Sequence, residues 1–362
     1  MQIVIIADSI DTQKAGIHVY TKKMINALEK NENISVTGIR LKDKPDFGFA
    51  HQQVVPPVIP FLVKDPFRLF ITLPLAIRRL KPDIVIEPAH FGPFNLPRKI
   101  KRVTVIHDLT PVKFPQWHNF VSRNLQRIFL PSILKKASLV ITNSNNTSND
   151  VTQIYPYTKG KVSRIYPAVN PFFIKNEGEV ELVKQPFFLS VGTLEPRKNL
   201  SLLLNAYRLF REKTDMTHKL VICGEKGWKN KQFDILLQNH RYKDDIEIRG
   251  YVSNEELKHL YSATTAFIYP SFYEGFGFPV AEAMGCGAPC IVSNRASLPE
   301  VGGEAVLYID PDNPNDLSEK MIGVASSPNL QQELANNGLL RATRFSEEFF
   351  VTELEKLLRG LK

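Results

Sequence analysis

Short runs of consecutive apolar residues, many of them β-branched, recur along this chain. They fall at 2–7, 34–40, 84–87, 103–107 and 139–142, and again at 187–191, 219–223, 246–249, 266–269 and 289–292. Runs of this length, bounded by turn-forming residues, predict strands buried on both faces. Between them, apolar positions return at helical spacing, as at Ile17, Tyr20, Met24, Ala27 and Leu28. The same spacing predicts helices near 66–80 and 119–137 in the first half. It predicts others near 199–213, 254–262 and 279–285 in the second half, and at 315–325, 328–343 and 346–360 toward the end. Ser253, three residues before Glu256, has the form of a capping box. Strand–helix alternation implies α/β architecture with parallel, doubly wound sheets. The proline-bounded segment from Tyr166 to Pro171 suits a linker. Two domains are therefore expected, 1–168 and 172–345, with a helix at about 346–362 able to pack back on the first. In such sheets ligands bind beyond the carboxyl ends of the strands, so the loops after strands are where chemistry is expected.

Composition narrows the class. At 362 residues, 43% hydrophobic and 23% charged, the chain reads as a globular protein with enough residues for two cores. No apolar run reaches the roughly 18–20 residues that span a bilayer. Residues 1–7 read as a first strand and not as a signal peptide. The three cysteines, Cys223, Cys286 and Cys290, lack a metal-ligand pattern. They read as packing residues in a reducing cytoplasm. Charge is uneven: residues 1–170 hold 24 Lys and Arg against 11 Asp and Glu, while residues 171–362 hold 22 against 26. A basic first half beside a mildly acidic second half suggests that one domain faces something anionic, such as lipid, a lipid-pyrophosphate acceptor or nucleic acid.

The loop after the 266–269 strand carries the strongest chemical signal. Glu274 and Glu282 flank Gly275-Phe276-Gly277-Phe278-Pro279. Pro279 suits the first position of a helix. Glu274 then lies in the loop and Glu282 about one turn into the helix. The amides of Gly275, Phe276 and Gly277 lie near the helix N-terminus, a place suited to anions and hydroxyl-rich ligands. After the 187–191 strand, Gly192 leads into Glu195-Pro196-Arg197-Lys198-Asn199. Two cations at a helix start suit a diphosphate. His107 ends a strand of the first half, where it can hydrogen-bond a sugar hydroxyl or transfer a proton. Gly16 opens a helix after the first strand and allows close backbone approach. Gly224 follows one strand, and Tyr251 and Val252 another, where they could lie against a nucleotide. Asp310 and Asp312 read as a turn, and no metal is expected.

The segments around Glu274 and Glu282, around Glu195 to Asn199, and around His107 resemble those of the retaining glycosyltransferases of family 4. The resemblance extends over essentially the whole chain. It implies the GT-B fold: two Rossmann-like domains facing across a cleft, the first binding acceptor and the second the nucleotide sugar. It also implies roles. Arg197 and Lys198 hold the donor diphosphate, Glu274 the transferred sugar and Glu282 the ribose. Gly192, Gly224, Tyr251 and Val252 belong to the donor site, and His107 and Gly16 to its sugar side. Three departures from the family pattern stand out: Thr193 replaces an arginine found in some members, Ala15 replaces a glycine found in many, and His18 stands where an arginine is frequent. The variant motifs resemble bacterial mannosyltransferases of polysaccharide assembly, which makes GDP-mannose the first donor and a UDP-hexose the second. No cofactor is implied. The acceptor expected is a glycan or lipid-linked glycan.

Residues 58–79 mix apolar and basic positions. They suit either a helix packed on its own sheet or a segment that touches an anionic membrane surface or holds a lipid tail, which would make a cytoplasmic protein peripheral at the inner face of the membrane. Two other readings stand beside the transferase. A nucleotide-sugar epimerase can share the fold. A nucleic-acid-binding protein would use the basic half, although no nucleic-acid motif is present and no such partner is expected.

Overall fold

The computed structural model describes residues 1–12, 16–42, 50–58, 66–118, 120–174, 186–227 and 231–361. The chain divides into two compact units, Met1–Ala168 with Glu347–Lys362, and Val169–Ser346.

The first unit is built on a seven-stranded parallel sheet. Its strands are β1 (Gln2–Ile6), β2 (Ser35–Arg40), β3 (Gln52–Val54), β4 (Ile84–Glu87), β5 (Lys101–Ile106), β6 (Leu139–Thr142) and β7 (Val162–Arg164). They lie in the order β3-β2-β1-β4-β5-β6-β7. Alternate residues face opposite sides. Ile3, Ile5, Val103 and Val105 meet Tyr20 and Met24 of the helix Gly16–Glu29, and Phe350, Leu354 and Leu358 of the helix Glu347–Arg359. Val4, Ile6 and Val85 meet Leu73 and Ile77 on the other face. The last helix is tied to this unit by polar contacts too, Lys30 Nζ reaching Glu347 and Asn31 Nδ2 donating to Glu355 at 2.7 Å.

β3 and β7 carry no apolar run, which is why sequence periodicity misses them. As short edge strands they bury little, and polar side chains suit them. The helix expected near 66–80 begins with a π-helical stretch, Arg68–Thr72, before the α-helix Leu73–Leu80. Pro74 has no N–H to return to the Phe70 carbonyl, and Asn95 Nδ2 donates to that oxygen at 3.0 Å. Residues 59–65 of the mixed apolar and basic stretch lie outside the described residues.

The second unit repeats the plan with six parallel strands. These are β8 (Phe187–Val191), β9 (Lys219–Cys223), β10 (Ile246–Ile248), β11 (Ala266–Tyr269), β12 (Cys290–Ser293) and β13 (Leu307–Ile309), in the order β10-β9-β8-β11-β12-β13. Phe188, Leu220, Ile268 and Ile291 pack with Leu203, Tyr207 and Phe210 of the helix Leu200–Lys213, and with Leu317 and Met321 of the helix Pro314–Ser326. Ser253 Oγ accepts from the Glu256 amide at 3.2 Å, so the capping signature is structurally used. Helices at Asn145–Ile154 and Lys231–Gln238 were not visible as periodic apolar segments. The first starts from Ser144, whose hydroxyl accepts from the Thr147 amide. Among the described residues no helix is long and apolar enough to cross a membrane.

Candidate functional site

In the second unit, β8 and β11 are neighbours, and the loops after them meet at their carboxyl ends. Backbone contacts fix the meeting: the Phe272 amide donates to Arg197 O at 2.9 Å. Asn199, in the left-handed region with φ 56°, ends the basic motif. Its Nδ2 donates to Pro270 O at 3.2 Å and Pro311 O at 2.7 Å, joining three loops through one buried amide.

On this frame four charged side chains converge. Arg197 donates through Nε to Glu195 Oε1 at 3.0 Å and through Nη1 to Tyr273 O at 3.2 Å and to Glu274 Oε2. Lys198 Nζ donates to Glu274 Oε1 at 2.8 Å and to Tyr269 Oη at 2.6 Å. Glu195, Lys198 and Glu274 are buried, while the Arg197 side chain keeps 22% of its surface exposed. Burial by itself would raise the Glu274 pKa; the charges of Arg197 and Lys198 outweigh it and hold the carboxyl at about 2. Burial and the neighbouring Arg197 charge lower the Lys198 pKa, against the opposing pull of Glu274. Burial, with Glu274 adding to it, lifts the Tyr269 hydroxyl well above its ordinary value, so it stays protonated.

The glycines in these loops have steric reasons. Gly224 has φ 153°, and a Cβ there would lie 2.0 Å from Gly192 O. That approach lets the Gly224 amide donate to Gly250 O at 2.6 Å and the Gly192 amide to Cys223 O at 2.9 Å. The loops after β8, β9 and β10 are thus laced together. Tyr251, next after Gly250, is 72% exposed, and Val252 is half-buried.

Beyond β11 the helix is Phe278–Gly285, with Gly277 as its cap, so Pro279 stands at the second helical position and not the first. Gly277 has φ 111° and Gly275 is buried beside it. The Phe276 ring is buried edge-on against Phe278 and Phe345, so its polar contribution to this turn is its backbone. Glu282 is half-buried, and the Tyr261 hydroxyl donates to its Oε2 at 3.5 Å. A residue that motif reading missed holds this turn in place. Ser297, fully buried after β12, lies with its hydroxyl 2.9 Å from Glu274 O and 2.7 Å from Phe276 O. Nothing in a lone serine 23 residues downstream signals that contact.

Asp310 and Asp312 both turn toward Arg295. Among the described residues no group of three or more His, Cys, Asp or Glu side chains could hold a metal ion. The three cysteines are free and buried.

His107 and Gly16 belong to the first unit. His107 follows β5, is buried, and donates through Nε2 to Pro88 O at 2.8 Å, since a carbonyl can only accept. Its own amide donates to His90 Nε2 at 2.6 Å. Burial lowers its pKa against the raising effects of the Pro88 hydrogen bond and Asp108, so the ring is neutral at pH 7. Gly16 is the exposed first residue of its helix, and one turn later Tyr20 packs edge-on to His107 with ring centroids 4.9 Å apart. Ala15 and the rest of 13–15 lie outside the described residues.

Comparison with known proteins agrees with this architecture. Residues 15–172 match the model of glycosyltransferase family 4, and residues 173–341 match that of glycosyl transferases group 1. An O-antigen chain mannosyltransferase B of Escherichia coli is 32% identical over 274 residues, covering 73% of this chain and 72% of that protein. An O-antigen chain mannosyltransferase RfbU of Salmonella typhimurium is 29% identical over 221 residues, covering 60% and 59%. The fold is similar to that of sucrose-phosphate synthase from Thermosynechococcus elongatus, with a TM-score of 0.79 at 19% identity over 99% of this chain and 98% of the other. With two parallel Rossmann-like sheets, both family models and a mannosyltransferase relative in agreement, the chain belongs to the family 4 glycosyltransferases of GT-B fold.

Proposed function

We propose that this glycosyltransferase moves mannose from GDP-mannose, with retention at the anomeric carbon, to a glycan or lipid-linked glycan in polysaccharide assembly. The reading of the donor site is carried by the convergence of Arg197 and Lys198 on Glu274 at the ends of adjacent strands. The choice of mannose is supported by the likeness to an O-antigen chain mannosyltransferase.

In this reading the donor diphosphate exchanges for part of the carboxylate contacts of Arg197 and Lys198. As the glycosidic bond breaks, negative charge grows on the diphosphate, and two preorganised cations stabilise it more than the ground state. Glu274, released from one cation, accepts hydrogen bonds from sugar hydroxyls. Glu282 accepts from the ribose. The backbone turn from Gly275 to Gly277, at a helix start, adds amide dipoles. Gly192, Gly224, Tyr251 and Val252 border the nucleotide. His107, neutral and with its proton fixed on Nε2 by Pro88 O, serves the sugar side together with Gly16. No carboxylate acts as a covalent nucleophile: the diphosphate departs on the face that the acceptor enters. In this reading the basic first unit draws the enzyme to the anionic inner face of the cytoplasmic membrane, where a lipid-linked acceptor would reside.

The first test is the unfolding temperature with GDP, UDP, ADP and their sugar conjugates. A ligand at a hundred times its Kd stabilises the fold by about 2.7 kcal/mol. Selective shifts with GDP and GDP-mannose are expected. A selective UDP response overturns mannose as the sugar; silence toward every nucleotide overturns the donor site.

A further inference from the structure

The first unit holds a second polar feature, at the end of its strands opposite His107. A cavity of about 1010 Å³ opens beside the amino-terminal ends of β5 and β6, between the helix Leu73–Leu80 and the end of the helix Phe120–Lys136. Its charged lining is all cationic, comprising Arg78, Arg98, Arg102, Lys135 and Lys136, with no Asp or Glu. Among the described residues none of the five has a carboxylate partner.

Arg102 is the unusual member. It is the second residue of β5 and pairs with Val85 on β4. It is only 8% exposed. Its Nη2 donates to Leu96 O, but its Nη1 has no hydrogen-bond partner among the described residues. A buried guanidinium left partly unsatisfied favours an anion, and its planar fork matches phosphate oxygens. The opposite wall is apolar: Phe70, Ile71, Pro74 and Leu75. Ile71 and Leu75 are 43% and 46% exposed, and Phe67, one turn earlier, extends the stripe at 47%. A small aqueous anion has no use for such a stripe, whereas an anionic amphiphile uses both walls.

We propose that this cavity binds the phosphate headgroup of an anionic phospholipid, with Phe67, Ile71 and Leu75 against the acyl region. This sharpens the membrane-surface part of the function proposed above and rests on that part alone; the donor site neither needs nor supplies it.

Sedimentation of the full chain with phosphatidylcholine vesicles, with and without phosphatidylglycerol, tests it. Phosphatidylglycerol should strengthen binding. Arg102→Leu and Leu75→Asp should each weaken it about fivefold or more, near the effect of one cation at a membrane surface. Circular dichroism checks that Arg102→Leu folds. If it does not, the double variant Lys135→Glu/Lys136→Glu, with both changes at the cavity's surface rim, takes its place beside Leu75→Asp. Equal binding to both vesicle types overturns the proposal. So does undiminished binding by the folded variants, which would reduce the effect to diffuse charge. Displacement of the wild type by millimolar inorganic phosphate, with Leu75→Asp binding as wild type, assigns the cavity to free phosphate and also overturns it. The nucleotide-induced shift in unfolding temperature should be unchanged in every variant. Its loss in the wild type, with vesicle binding kept, strikes the donor reading and leaves this one standing.

Discussion

Each unit places acid–base pairs beyond its first strand, yet the two sets are built for different ends. In the first unit Arg68 is fully buried, donating through both terminal nitrogens to Asp8 at 2.7 Å and through Nε to Val55 O at 2.6 Å. Arg40 and Asp11 are buried as completely, and the second Asp11 oxygen accepts from the Leu41 and Lys42 amides. Each of the three nitrogens of the Arg68 guanidinium donates to protein. In the second unit Arg197 divides its donors between two carboxylates and a carbonyl, remains partly exposed, and shares Glu274 with Lys198. Saturated pairs lock a loop. Shared pairs at an accessible edge can exchange a partner for a ligand, because one member's departure leaves the other contacts in place.

The strongest way to break this comparison is to truncate one member on each side. Arg68→Ala should destabilise the fold by about 3–5 kcal/mol, since it strands Asp8 without its counter-ion. Denaturant unfolding reads this, and the folded fraction should keep its turnover. Arg197→Ala should act mainly on turnover, lowering kcat/KM by about 10²–10³-fold, as for loss of one transition-state donor, with a smaller loss of stability because Glu195 loses its partner. If Arg68→Ala proves neutral for folding while Arg197→Ala unfolds the protein, the assigned roles are exchanged.

Two further substitutions sharpen the picture. Gly224→Ala pushes a methyl group into Gly192 O at 2.0 Å and into a conformation that L residues avoid. A loss of about 1–3 kcal/mol is expected, with KM for the donor rising as the laced loops shift. Ser297→Ala removes the hydroxyl held against Glu274 O and Phe276 O. A loss of about 1 kcal/mol and a smaller fall in kcat are expected.

The pH dependence is the finest test. The Glu274 carboxyl is depressed from 4.5 to about 2 in the folded protein. Its contribution to stability is therefore full above the unfolded value and is lost as pH falls from about 4.5 toward 2. Glu274→Gln should flatten the acid limb of the stability profile in that window. An unchanged limb would show that Glu274 is not held by the two cations.

What could be read without coordinates was whatever is local. Strands buried on both faces must be apolar throughout, so β1, β4, β5, β6, β8, β9 and β11 stand out as runs, whereas β3 and β7, at one sheet's edges, do not. The loops holding Arg197, Lys198 and Glu274 were legible because glycine, proline and charge crowd into a few positions after strands. The sequence by itself therefore determined the α/β plan and the residues at the head of the site. Only the tertiary structure decided their partners. Tyr269 Oη is joined to Lys198 across 71 residues, Ser297 to Glu274 across 23, and Asn199 to Pro311 across 112. Arg102 looks like an ordinary strand residue until the two helices beside it leave a cavity. Hydrogen bonds between loops depend on which strands lie side by side, and strand order is set by packing both faces of a whole sheet, which no local pattern encodes.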